Sequence, residues 1–334
     1  MTGQARSRRQ FVREIAGGAA LSLIPLRTFA AAGWAPSHPV QVVAPSEPGS
    51  GFDIVARLLQ RVWQQSKLVD EPVTVLNKSG AFGALGWAYV KQHTGNGEYM
   101  AVMSDLIISN HVSGVSPIQF SDLTALAILQ SNDIGFFVNS ASPVKSGTDL
   151  IARLKKDPKS VSVAMSGVGG QNEITFGLIL QKAGIDVRQV RIVGFTGSAA
   201  AQVAVLGGHV DLLMAPASSV AGQIKAGAMR GVGIASAKRM DGIMAGVPTW
   251  REQGIDVVFA NWRGIAGPGD LTPAMVAYWD GVFAKTVRDP LWQDELKKEM
   301  LTDYYLDSTK ARAFLIAQDK ETREVLKTLG LSKN

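Results

Sequence analysis

Residues 39–53 read Pro39-Val40-Gln41-Val42-Val43-Ala44-Pro45-Ser46-Glu47-Pro48-Gly49-Ser50-Gly51-Phe52-Asp53. The β-branched run at 39–44 predicts a strand. A turn rich in glycine and serine follows. Residues 53–65 then place Ile54, Leu58, Leu59 and Val62 on one face of a predicted helix. This strand–turn–helix unit recurs. Strands are predicted at 72–76 and 99–103, with a helix at 83–92 between them. The pattern restarts with strands at 135–138, 161–164, 190–193, 210–214 and 229–234 and helices at 148–156, 173–182, 199–206 and 220–225. Strands alternating with helices predict an α/β fold with a mostly parallel sheet in each unit. A chain of 334 residues also exceeds the ~250–300 at which single cores tend to divide. We therefore expect two lobes, and boundaries near 133–138 and 256–262 would divide the chain into 33–135 with 259–334, and 136–258. The tail, 272–300 and 308–329, is predicted helical, and periodicity alone does not place it on the first lobe.

With 46% hydrophobic and 19% charged residues the chain is globular, not disordered. It has no cysteine, which excludes disulfides, thiolate metal sites, iron–sulfur ligation and a cysteine nucleophile. The net charge of +6 suggests nucleic acid, but its distribution argues against that partner. Arg6, Arg8, Arg9, Arg13 and Arg27 against Glu14 leave +4 in residues 1–31 and +2 in the rest. No basic stripe remains for a phosphate backbone. The 12 uncharged residues 15–26 are too few to span a bilayer, which needs about 20. With Ala30-Ala31-Ala32 after them, they mark residues 1–32 as a signal peptide cleaved near 30–33. Ser7-Arg8-Arg9-Gln10-Phe11-Val12-Arg13 resembles a twin-arginine export signal, the alternative being an ordinary secretory leader. Either route delivers the protein outside the cytoplasm.

Three loops, at 48–53, 166–172 and 195–199, share glycine and serine between a strand and a helix. Glycine lets backbone approach a ligand, and a helix N-terminus offers unpaired N–H groups and the positive end of its dipole. At the carboxyl ends of parallel strands, such loops lie where open α/β sheets bind ligands. The alternative is that they only turn the chain and cap helices. Asp53 reads as a cap rather than a contact. Gly80, Gly83 and Gly86 form G-x-x-G-x-x-G, which is not the dinucleotide fingerprint. His38, His93, His111 and His209 form no metal-like pair. Neither a serine-nucleophile elbow nor a phosphate-binding P-loop occurs. We expect no catalytic residue, metal or cofactor. Glu47 reads either as a selector of cationic groups or as a solvated loop charge. Arg263 reads either as a carboxylate partner or as a structural salt-bridge residue.

With these residues set out, residues 37–334 resemble the periplasmic solute receptors of tripartite tricarboxylate transporters, the Bug type. The match runs through Val43-Ala44-Pro45 with Pro48-Gly49-Ser50-Gly51-Phe52-Asp53, Asn77-Lys78-Ser79-Gly80-Ala81-Phe82-Gly83 and Ser166-Gly167-Val168-Gly169-Gly170. It continues through Phe195-Thr196-Gly197-Ser198-Ala199 with Leu206-Gly207-Gly208-His209-Val210-Asp211 and Ile224-Lys225-Ala226-Gly227-Ala228-Met229-Arg230. Val247-Pro248-Thr249 with Glu252-Gln253-Gly254, and Asn261-Trp262-Arg263-Gly264, complete it. Glu47, Asn172-Glu173 and Ala228 depart from the family pattern.

The resemblance implies a two-lobed periplasmic-binding fold that closes on a small carboxylate. Carried over by position, it implies ligand contacts at Pro48, Gly49, Ser50, Gly51, Phe52, Ala81, Phe82, Ser104, Ser166, Gly169, Gly170, Gln171, Thr196, Gly197, Ser198 and Ser218. The expected function is a non-catalytic, monomeric receptor. It would capture a tricarboxylate, dicarboxylate or aromatic acid and deliver it to the membrane permease subunits of that transporter. The alternatives are a ligand-sensing subunit of a membrane kinase and an exported enzyme.

Overall fold

The computed structural model describes residues 33–166, 171–195, 197–328, 330, 332 and 333. The predicted signal peptide and cleavage region, except Gly33, lie outside the described residues, as do Gly169, Gly170, Thr196 and Leu329. The first sheet begins with β1 (Val40–Ala44), which pairs in parallel with β2 (Val73–Asn77) and β3 (Tyr99–Met103). Helices α1 (Gly51–Gln65) and α2 (Ala84–Lys91) make the crossovers. α3 (Leu106–Val112) leaves β3 and leads to β4 (Thr124–Ser131).

The chain then crosses to a second sheet through only Asn132 and Asp133. There β5 (Ile134–Asn139), β6 (Ser162–Ser166), β7 (Arg191–Phe195), β8 (Leu212–Pro216) and β9 (Met229–Ile234) take the order β7-β6-β8-β5-β9. α4 (Gly147–Lys156), α5 (Gln171–Ala183), α6 (Ser198–Leu206) and α7 (Ala217–Lys225) connect them. The return strand β10 (Trp262–Gly267) enters the first sheet between β3 and β4, and β11 (Thr302–Leu306) adds at its edge, giving β11-β4-β10-β3-β1-β2. α8 (Pro273–Thr286), α9 (Pro290–Lys298) and α10 (Ser308–Thr328) complete the chain.

Both sheets are mixed rather than mostly parallel. β10 runs antiparallel to β3 and β4, and β5 antiparallel to β8 and β9. The strands that carry the chain between sheets return without a helical crossover, and only such a crossover enforces parallel pairing. β4, β10 and β11, and the helix α3, were not expected from periodicity.

α1 shows how the local sequence makes an element. The Ser50 side chain caps it, and Phe52, Val55, Ala56, Leu59, Val62 and Trp63 form one buried stripe. Ile54 falls off that stripe and is 43% exposed, a correction to the expected face. The tail helices return to α1: Trp63 Nε1 donates to Thr286 Oγ1 at 2.8 Å, and Trp63 packs on Trp279 and Phe283. Trp63 and Trp279 each combine a large apolar area with a satisfied indole N–H, Trp279 by donating to Gly97 C=O at 2.9 Å.

The glycine pattern at 80–86 has a packing cause. A Cβ on Gly86 would sit 2.6 Å from Cβ of Pro45 and 2.9 Å from its Cα. Glycine there lets α2 press against the end of β1.

Where the chain changes sheets, polar groups tie the strands together. Asn132 N–H donates to Asn261 C=O at 2.9 Å, so the two crossings touch. Asp133, 1% exposed, accepts from Ser131 Oγ at 2.8 Å and Thr302 Oγ1 at 2.9 Å, while its C=O accepts from Ala217 N–H at 2.9 Å. The buried carboxylate of Asp133 thus joins β4 to β11, and its backbone C=O holds the start of α7. No helix among the described residues is long and apolar enough to cross a membrane.

Candidate functional site

The carboxyl end of β1 opens into a loop held from within. Asp53 is 2% exposed, and its carboxylate accepts from Gly49 N–H at 2.8 Å, Arg57 Nε at 2.9 Å and Asn77 Nδ2 at 2.9 Å. Burial pushes this carboxyl's pKa up, but these bonds outweigh it and hold it below the usual range. Asp53 is therefore the loop's anchor and lies in the first turn of α1, while Ser50 is its N-cap. The Ser50 hydroxyl is also engaged by Ser46. Glu47 accepts from Ser79 Oγ at 2.5 Å, so it clips this loop to the neighbouring 77–83 loop. Pro48, Gly49 and Gly51 stay exposed, and the first-turn N–H groups of α1 have no intrahelical acceptor.

Arg263 comes to this loop from β10. The pairing of β10 with β4 slips between Arg263 and Gly264, a bulge that re-aims the side chain. Gly264 is required there, because a Cβ would lie 2.6 Å from Ala127 C=O. The guanidinium carbon lies 5.2 Å from the Phe52 ring centroid, and Nη2 lies 3.7 Å from where a Cβ on Gly51 would be. Nη1 donates to Asn261 Oδ1 at 2.6 Å and Trp262 C=O at 2.9 Å. Nε and Nη2 donate to no described residue, and Arg263 makes no ion pair among them. Burial presses its pKa down and the Asp105 charge opposes that. Of the two sequence expectations, the structural salt bridge is not formed.

Asp105 ends the β3 turn and is 2% exposed. Its Oδ1 accepts from Gln171 Nε2 at 2.5 Å, and Gln171 is the first residue of α5 in the second lobe. Burial raises its pKa to about 7, against the opposing pull of Arg263, the Ser104 hydroxyl and backbone N–H groups.

The other expected site residues are distributed as follows. Ala81 and Phe82 form a single tight turn with φ of +45° and +52°, and Phe82 is 71% exposed. The Phe82 C=O accepts from Asn110 Nδ2 at 3.0 Å, which holds this left-handed turn against α3. Ser104 is buried, and its hydroxyl accepts from Leu106 N–H, the first amide of α3, at 3.2 Å. Ser166 ends β6 opposite Phe195. Gly197 and Ser198 start α6. Ser218 donates to Asn132 Oδ1 at 3.1 Å and so belongs to the crossing between sheets.

Asp105 was missed by sequence reasoning. The signal was available, since it lies two residues past the end of β3, in the kind of strand-to-helix turn that the glycine loops occupy. No group of three or more His, Asp or Glu side chains suited to a metal occurs among the described residues. His93 is stacked on Tyr99 at 3.7 Å, and His209 sits exposed in a turn.

Comparison with known proteins gives the family and the fold. Residues 55–331 match TctC, described as the tripartite tricarboxylate transporter family receptor. A Cupriavidus necator protein described as the UPF0065 protein in the gbd 5'region is 26% identical over 330 residues, covering 98% of this chain and 99% of that one. The crystal structure of a TctC solute-binding protein from Polaromonas superposes with a TM-score of 0.80 at 24% identity, covering 87% of this chain and 99% of that one. An R. palustris protein solved with adipate superposes with a TM-score of 0.68 at 20% identity, covering 89% and 99%. The two-lobed architecture is thus shared, and the chain belongs to the tripartite tricarboxylate transporter receptor family.

Proposed function

We propose that the protein is an extracytoplasmic solute-binding receptor that captures a small organic carboxylate and delivers it to the membrane subunits of a tripartite tricarboxylate-type transporter. The observation that carries this is Arg263. Its Nε–H and Nη2–H are unengaged among the described residues, and it stands beside the N-terminus of α1, where the dipole also favours an anion. A guanidinium edge presents two parallel donors, the geometry that suits a carboxylate. The adipate bound by the R. palustris relative supports this ligand class. The lobes, taken as 33–135 with 259–334 and as 136–258, close about the ligand, with Phe52 and Phe82 as apolar walls. The loop contacts at Gly49, Gly51, Gly197 and Ser198, and at Ser166, Gly169, Gly170 and Thr196, complete the cradle. Residues 1–32 act as the export signal, and the receptor works in the periplasm as a monomer without enzymatic activity.

A thermal-shift panel tests this. The purified protein is washed free of carried-over ligand under denaturing conditions and refolded. It is then offered citrate, dicarboxylates, aromatic acids and amino acids. A ligand at a thousandfold excess over its Kd stabilises by ~4 kcal/mol, so one acid should raise the melting temperature by several degrees. A response to none of the acids, or only to neutral and cationic compounds, contradicts the proposal.

A further inference from the structure

A second crevice runs between the two sheets, at the edges away from the glycine loops. Those loops follow β1, β2, β6 and β7, which lie at one end of each sheet order. β11 and β9 lie at the opposite ends, and the strands that carry the chain across, β4, β10 and β5, stand between. A cavity of about 340 Å³ opens at the β9 and β11 edges. Residues 238–244, which follow β9, line one wall, and residues between 293 and 303, from α9 into β11, line the other. Its size falls in the ~300–1,000 Å³ range of small-molecule sites.

The interior is apolar and unevenly filled. Met240 and Met244 belong to one hydrophobic core and Leu296 to the other, so the cavity follows the seam between them. Ile243, which also lines it, is 44% exposed. Met300 has φ of +51° at the end of α9. Leu301 N–H donates to Leu296 C=O at 2.8 Å and Met300 N–H to Lys297 C=O at 3.2 Å, the pair of bonds that closes a helix on a left-handed residue. Glycine is usual at that place. A methionine there strains the backbone and sets a flexible apolar side chain on the cavity, and strain of this kind gathers at ligand clamps. The charged groups on the walls are unbalanced. Arg239 is taken by Glu252 at 2.9 Å, and Asp303 accepts from Gln293 Nε2 at 3.3 Å. Lys238 and Lys297, one on each wall, then stand against Asp241 alone. The Lys238 ammonium makes no hydrogen bond or ion pair among the described residues.

We propose that this crevice is a second ligand site, that it takes an aliphatic monocarboxylate, and that its occupancy favours the closed cleft. The chain of the ligand lies on the methionines and Ile243, and its carboxylate meets Lys238. Rotation of one sheet against the other about the crossings narrows one side as it widens the other. An occupant here holds the β9 and β11 edges apart and so opposes opening on the far side. The site stands independently of the carboxylate-receptor reading; the coupling rests on it.

The test is calorimetric titration of the full chain with octanoate, below its micelle-forming concentration, and with octylamine, which reverses the head-group charge. One equivalent of octanoate is expected to bind, at least fivefold more tightly than octylamine. Lys238→Glu and Ile243→Glu, both at exposed positions, should each weaken octanoate at least fivefold with the melting temperature unchanged. Amide exchange read by mass spectrometry should slow on octanoate binding at residues 45–50 and 171–178 as well as at 238–244. No octanoate binding, or equal binding of octylamine, overturns the site. So does binding that survives both crevice variants and is lost in Arg263→Met, which places octanoate in the cleft. Binding that leaves exchange at 45–50 and 171–178 unchanged overturns the coupling. A protein that binds octanoate here but none of the acids in the thermal-shift panel keeps the site and overturns the receptor reading instead.

Discussion

Gln171, the first residue of α5, donates from Nε2 to Oδ1 of Asp105, the last residue before α3, across 2.5 Å. One hydrogen bond thus joins the segment after β3 in the first sheet to the start of α5, which follows β6 in the second. A bond to a charged group contributes ~1.5–3 kcal/mol. That is enough to bias a two-state opening equilibrium by tenfold or more.

Gln171→Ala should therefore favour the open state of the empty receptor. Small-angle X-ray scattering of the ligand-free variant is expected to show a larger radius of gyration than the unaltered protein, with the difference removed by saturating ligand. Identical scattering curves without ligand would show that this contact does not bias the lobes.

Asp105 also makes stability depend on pH in a definite direction. Its folded pKa is raised to about 7, above the ordinary carboxyl value of 3.8. Between those values the folded chain holds a proton that the unfolded chain has released, so stability falls as pH rises through this window. Asp133 is pushed the same way by burial, so the effect of Asp105 is isolated by comparing variants. Asp105→Asn should be more stable than the unaltered protein at pH 8, by roughly 1–4 kcal/mol at ~1.4 kcal/mol per pKa unit, with a smaller difference at pH 5. Urea unfolding of both proteins at the two pH values measures this. A difference that does not shrink at pH 5 would contradict the assignment.

Gly86→Ala sets two effects against each other. Alanine in a helix is favoured over glycine by roughly 0.5–1 kcal/mol. Its Cβ, however, meets Pro45 at 2.6 and 2.9 Å, and the nearer end of that contact is rigid ring and backbone. Overpacking of this kind costs ~1–3 kcal/mol, so net destabilisation is expected, with weaker ligand binding as the β1 loop is displaced. A urea midpoint equal to or above that of the unaltered protein would show that α2 can move aside without loss.

The units legible in the sequence are those with a β-branched strand, a glycine turn and an apolar helix face, as at β1–α1, β6–α5 and β7–α6. The strands that were missed lack that signature for different reasons. Thr124–Ser131 is rich in alanine and leucine, which suit a helix equally. Trp262–Gly267 contains two glycines, which weaken a strand signal although the bulge beside Arg263 needs one of them. Thr302–Leu306 is a five-residue run between two helices. Antiparallel pairing of β10 and β5 is decided by where the chain crosses between sheets, a tertiary event with no local pattern. At the site, backbone loops announce themselves through glycine, whereas Asp105 is a single charge whose burial and partner come from another lobe. Arg263 was visible as a residue, but its unengaged edge appears only once β10 stands between β3 and β4.

The central claim is that Arg263 anchors the ligand's carboxylate, and titration calorimetry on Arg263→Met tests it most directly. Methionine keeps an unbranched apolar stem against Phe52 and removes only the guanidinium. With the acid that gives the largest thermal shift, the unaltered protein should bind one equivalent. The variant, its melting temperature within a few degrees of the original, should bind at least tenfold more weakly, a loss of about 1.4 kcal/mol or more. Undiminished affinity in a folded Arg263→Met variant would contradict the account.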